Sequence, residues 1–114
     1  MIRMEEARRT ALVVEDSFLL GRSYKRFLEA YGYQTEVAES AEDAEKYLDR
    51  EFDLVIIDGL EGRCFDLFPK INARRKLILS GSEEILDEAR KRDYLAYDKL
   101  GEQSMLEMLG EDEQ

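Results

Sequence analysis

Five polar side chains stand where apolar runs of this chain stop. Glu15 and Asp16 follow Leu12-Val13-Val14, Asp58 follows Leu54-Val55-Ile56-Ile57, Ser80 follows Leu77-Ile78-Leu79, and Lys99 closes the stretch that starts at Tyr94. Singly, each has an ordinary explanation. Asp58-Gly59 is a strong turn pair. Glu15-Asp16 suits a strand end before a helix, Ser80 a turn, Lys99 a solvated edge. Together they supply three carboxylates, a hydroxyl donor and a cation. With a metal, that is the set a transferring phosphoryl group requires, one carboxylate serving as nucleophile. Two carboxylates about 4 Å apart repel by roughly 4 kcal/mol at an effective dielectric near 20. A hard divalent cation with oxygen ligands removes that cost, and Mg²⁺ is the usual ion where phosphate is handled.

Strands and helices must bring these residues to one place. Residues 10–16, 33–40, 52–58, 76–80 and 94–100 read as strands. Residues 54–57 are four apolar residues in a row, the pattern of a strand buried on both faces. Between the strands, Leu20, Tyr24, Phe27, Leu28 and Tyr31 recur at helical spacing, with Ser17 to cap the start and Gly32 to close the end. Residues 40–50 open with Ser40 and Asp43, close to a capping box. Residues 82–92 form a helix with Ser82 as cap, Glu83 and Glu84 at the positive end of its dipole and Arg90, Lys91 and Arg92 at the negative end. Between 59 and 75, Gly59, Gly62 and Pro69 predict a short or irregular helix, although Phe65, Leu67 and Phe68 want burial. Residues 102–109 predict a short last helix.

Strands alternating with helices five times predict an α/β domain, a doubly wound, five-stranded parallel sheet joined by right-handed crossovers. The common order is 2-1-3-4-5, with ligands at the carboxyl ends of strands 1 and 3. Glu15, Asp16 and Asp58 would then share one crevice, with Ser80 and Lys99 on the same sheet edge. One domain over residues 1–114 is expected, with an N-terminal extension at 1–9 and an acidic tail at 110–114.

Composition narrows the chemistry. The 114 residues are 44% hydrophobic and 39% charged, enough for a core and a polar surface. A net charge of −10 argues against direct nucleic-acid binding, because a phosphate backbone would be repelled. There is one cysteine, Cys64, so no internal disulfide can form, and packing is its simplest role. No apolar run reaches membrane-spanning length, and no signal-peptide pattern opens the chain. A cytoplasmic location is expected. With no histidine, Ser-His-Asp and Cys-His catalysis and the usual zinc sites are excluded.

The pieces "LVVED", "LVIID", "LILSG" and "YDK", in that order, resemble the receiver domain of two-component response regulators. The resemblance covers nearly the whole chain and implies a flavodoxin-like receiver fold. It implies that Asp58 accepts a phosphoryl group, with self-catalysed phosphotransfer and autodephosphorylation rather than enzyme turnover. It implies that Asp16 binds Mg²⁺ directly, that Glu15 acts largely through water, and that the backbone carbonyl of Leu60 completes the protein's metal ligands along with Asp58. Ser80 and Lys99 would grip the phosphoryl oxygens. The donor would be a histidine kinase or phosphotransfer protein, and the signal would pass to a protein target by a monomer or weak homodimer. The alternative is a receiver-like binding module that works without phosphate. An aspartyl-phosphate hydrolase is disfavoured, because Asp58 is followed by Gly59-Leu60 and not by an Asp-x-Asp pattern.

The chain departs from the family in places. The stretch from Asp58 to Ser80 is short, so a reduced third helix is expected. Leu100 stands where the family has proline. Ala96 stands where a switching aromatic usually sits, with Tyr94 and Tyr97 nearby, so weak coupling to the output face is expected. Leu60 and Ser82 flank the usual path of hydrolytic water. Leu60 is expected to cover the phosphoryl group and slow its loss.

Overall fold

The computed structural model describes residues 9–99. The first strand, β1, is Arg9–Val14, and helix α1 follows at Phe18–Ala30. Strand β2 is Tyr33–Ala38, and helix α2 is the single turn Ala41–Ala44, continued by a 3-10 turn at Glu45–Tyr47. Strand β3 is Glu51–Asp58. Two 3-10 turns, Leu60–Gly62 and Phe68–Lys70, bracket the one-turn helix α3, Cys64–Leu67. Strand β4 is Asn72–Ser80, helix α4 is Glu83–Lys91, and strand β5 is Ala96–Asp98. All pairings are parallel, in the order β2-β1-β3-β4-β5. This is the expected sheet, and the third helix is reduced as expected. The expected last helix, the acidic tail, Leu100 and most of the N-terminal extension lie outside the described residues.

Several expected boundaries shift. β4 starts at Asn72, four residues before the expected start at Lys76, because Asn72 and Ala73 pair with Glu51 and Phe52 of β3. Backbone pairing makes strand there without an apolar signal. β5 is shorter than residues 94–100. Tyr94 leaves the strand because its N–H closes the end of α4 on the Ala89 carbonyl, 2.9 Å away. The second helix is shorter than 40–50, since Leu48 and Arg50 donate three residues back, to Glu45 and Tyr47. β2 ends at Ala38, short of residue 40.

The sheet divides the core into two layers. One face carries Leu12, Val14, Val55, Ile57 and Ile78, packed with residues of α2, α3 and α4. The other carries Val13, Leu54, Ile56, Leu77 and Leu79, packed against Tyr24, Phe27 and Leu28 of α1. Strand residues alternate between the two, as a two-sided sheet requires.

Register sets the functional edge. Val14 pairs with Ile57, so Glu15 and Asp58 are the next residues on neighbouring strands. Asp58 pairs with Leu79, and Ser80 with Asp98, which brings Ser80 and Lys99 to the same edge. Serine caps start the helices beside it. Ser17 accepts from the Leu20 N–H at 3.3 Å, and Ser40 from the Asp43 N–H at 2.9 Å. Ser82 accepts from the Ile85 N–H at 3.3 Å.

Because Ser82 starts the helix that carries Ile85 to this edge, its cap can be tested. Ser82→Ala should cost about 1 kcal/mol of unfolding free energy, and Ser82→Gly only a few tenths. Urea denaturation of the two variants checks both the size and the order.

Candidate functional site

Glu15 leaves the end of β1 and is buried, at 2% exposure, while Asp16 beside it is exposed. The Glu15 carboxylate accepts the Ser17 N–H at 3.1 Å through Oε2. Its other oxygen lies 3.0 Å from Lys99 Nζ. The same ammonium donates to Asp58 Oδ1. Asp58 Oδ2 accepts the Leu60 N–H at 3.0 Å. Lys99 is held from behind by its backbone, whose N–H donates to the Ser80 carbonyl at 2.9 Å. Ser80 Oγ accepts the Ser82 N–H at 3.0 Å. The structure thus brings together Glu15, Asp16, Asp58, Leu60, Ser80 and Lys99.

The electrostatics follow from burial and pairing. Burial pushes the Glu15 carboxyl above its usual value; hydrogen bonds from Lys99 and Ser17 oppose the shift, and the charge of Asp58 adds to it. Burial disfavours the Lys99 ammonium as well. Hydrogen bonds and attraction to Asp58 and Glu15 outweigh it and raise the lysine to about 12. Cys64 is fully buried, and its thiol is pushed up to about 11, first by burial and next by Asp58, so it stays a packing thiol.

One carboxylate oxygen from each of Glu15, Asp16 and Asp58 lies within 4.8 Å of the others. With Lys99 among them, three negative charges and one positive leave two negative charges uncompensated. A hard divalent cation matches both that count and the all-oxygen donor set. The carbonyl of Leu60 already accepts the Arg63 N–H at 3.0 Å, closing a 3-10 turn, which leaves one lone pair. Leu60 and Glu61 both have left-handed backbone, at φ 50° and 55°. Such conformations are costly for non-glycine residues and cluster at functional loops.

Beside Asp58 opens a crevice of about 620 Å³, bordered by Phe65, Ser80, Ser82, Glu84 and Ile85 among others. Gly59 allows it to close tightly. A Cβ at Gly59 would meet Ile85 Cδ1 at 2.7 Å and Ser80 Oγ at 3.1 Å. Ile85 and Phe65 were not singled out as site residues by the sequence. Helical spacing marks both as apolar and says nothing of which wall they form. Leu60 borders the same crevice, while its side chain, 7% exposed, also packs in the core layer shared with α2 and α3. The tyrosines also have other tasks. Tyr94 stacks on Phe68 with ring centroids 4.0 Å apart, and the Tyr97 hydroxyl accepts from Arg75 at 3.2 Å while its ring packs on the opposite layer.

No family model matches the chain, and no curated protein matches it. Solved structures do. A CheY-like response regulator receiver domain from Methylobacillus flagellatus is 23% identical, with TM-score 0.73, over 92% of this chain and 98% of that one. A response regulator from Thermotoga maritima is 22% identical, with TM-score 0.68, over 92% and 97%. A response regulator protein from Burkholderia pseudomallei with a phosphorylated aspartic acid, calcium ion and citrate is 25% identical, with TM-score 0.65, over 86% and 64%. The chain has the fold of the CheY-like receiver domains. Among the described residues, no helix is long and apolar enough to cross a membrane.

The Lys99 bridge carries a pH signature. Its folded value of about 12 lies above the ordinary 10.5, so its stabilisation is complete below 10.5 and lost as pH rises through about 12. Lys99→Met removes the cation that opposes the upward shift of Glu15 and leaves it facing Asp58, so the Glu15 carboxyl rises further. A raised carboxyl costs stability as pH climbs above its unfolded value. The variant should therefore lose more stability at pH 8 than at pH 4, and urea midpoints at the two pH values measure it.

Proposed function

We propose that the chain is a two-component receiver that takes a phosphoryl group on Asp58 from a phosphohistidine on another protein. The observation that carries this reading is the Lys99 ammonium bonded to both Glu15 and Asp58, with Ser80 on the adjacent strand end. In the transfer, an Asp58 carboxylate oxygen attacks phosphorus in line. The P–N bond to the donor imidazole breaks, and its electron pair stays on that nitrogen. Ser80 Oγ already accepts from Ser82, so its own hydrogen can be donated to a phosphoryl oxygen. Lys99 can follow the charge from the carboxylate to the phosphoryl oxygens without leaving the edge. Asp16, Asp58 and the remaining lone pair of the Leu60 carbonyl would hold Mg²⁺, with Glu15 acting through water. That ion supplies neutralisation of the phosphoryl oxygens when bound. A histidine kinase or phosphotransfer protein fits as donor and a protein target as receiver of the signal, in the cytoplasm.

A second reading, a binding module independent of phosphate, is favoured by the side of the sheet where coupling would be expected. Ala96 has no ring to follow a moving Ser80, and Tyr94 is stacked elsewhere.

Exposure to acetyl phosphate with Mg²⁺ separates the readings. Intact mass should show one phosphoryl group on the wild type and none on Asp58→Asn. Equal labelling of both, or of neither, favours the binding module. For the metal, Asp16→Ala should abolish Mg²⁺ binding in a titration and Glu15→Ala should weaken it less. The reverse order would exchange the two roles.

A further inference from the structure

We propose that Phe65, clamped by Arg92 and Tyr94, governs how fast water reaches a phosphoryl group on Asp58. The inference rests on the receiver reading of Asp58 and adds the residue that sets the lifetime of the phosphorylated state. Loss of the group is an in-line attack: a water oxygen bonds to phosphorus, the bond to the Asp58 oxygen breaks, and its electron pair returns to the carboxylate. The water's proton passes to solvent. Water must enter the crevice beside Asp58 to do this.

The groups that could be expected to control entry have other tasks. The Leu60 side chain is largely packed into the core, although Leu60 also borders the crevice. The Ser82 hydroxyl caps α4, and its N–H is given to Ser80. Besides Leu60, the bulky apolar residues bordering the crevice are Ile85, tight against Gly59, and Phe65. Ile85 is carried by α4. Phe65 sits on the single turn α3 and is only half buried, so local helix length does little to hold its ring. Side chains from the end of α4 hold it. The Arg92 guanidinium lies 4.6 Å from the Phe65 ring centroid, and the Tyr94 ring stacks on it at 6.5 Å and 25°. Tyr94 is anchored in turn on Phe68, and Lys76 lies 4.8 Å from that ring. Arg92 is fixed by Glu88 at 2.8 Å. Neither Arg92 nor Tyr94 borders the crevice, so each can be altered without touching the reacting groups.

The test is the rate of phosphate loss after labelling with phosphoramidate and Mg²⁺ and removal of the donor, read by intact mass and by released inorganic phosphate. Phe65→Leu, Tyr94→Leu and Arg92→Gln should each lose phosphate faster than wild type, by roughly three- to tenfold for the first two, the size of one lost ring contact. Phe65→Tyr keeps a ring to stack and should lose it more slowly than Phe65→Leu. Arg92 is exposed, so Arg92→Gln carries the test if Phe65→Leu fails to fold. Loss at the wild-type rate in both Tyr94→Leu and Arg92→Gln overturns the inference while leaving Asp58 as acceptor. A wild type that takes up no phosphate, or an Asp58→Asn that takes up as much, overturns the receiver reading and this inference with it.

Discussion

One ammonium group holds the functional edge together. Lys99 stands between a nearly buried glutamate and an aspartate on a neighbouring strand, and satisfies both. Without it, two carboxylates would face each other at the end of the sheet, one of them buried with no water to turn to, and their repulsion would be felt strongly. The lysine directly follows the far edge strand, β5, and crosses β4 to reach them. Its backbone bond to Ser80 makes that reach possible, so β4 and β5 must be paired before the charge balance of β1 and β3 closes.

The parallel sheet is the means by which these distant residues meet. Glu15 and Lys99 are separated by most of the chain, yet in-register pairing brings each strand end to the same edge. Helices cover both faces, and the edge is left to loops, one of which is strained at Leu60 and Glu61. The tight contact of Gly59 with Ile85 and Ser80 shows how closely α4 approaches Asp58. A phosphoryl group beside Asp58 would be enclosed by a helix start and two apolar walls, with Lys99 and Ser80 as the charged and polar contacts.

On the side of the sheet facing α4, the aromatic residues have been redistributed. Ala96 leaves β5 without a ring on that layer. Tyr94, two residues earlier, is drawn out of the strand to cap α4 and to stack on Phe68 and Phe65. The ring system therefore links the crevice wall to the end of α4 and not to the middle of β5. This is a local rearrangement of packing within an unchanged topology.

The sequence by itself determined the class of fold, the five strands, their order and the positions of the acids, the serine and the lysine at strand ends. It could do so because buried parallel strands demand unbroken apolar runs, and a polar residue at the end of such a run is visible without coordinates. Serine caps at 17, 40 and 82 were legible for a similar reason: the bond they make is local. Only the tertiary structure decided which acid is buried, that Lys99 binds two carboxylates, and that Phe65 and Ile85 join Leu60 in bordering the crevice beside Asp58. It also decided where β4 begins and why β5 is short. These depend on strand register and on packing between segments far apart in the chain. No pattern within a window of neighbouring residues records which side of a crevice a side chain will face.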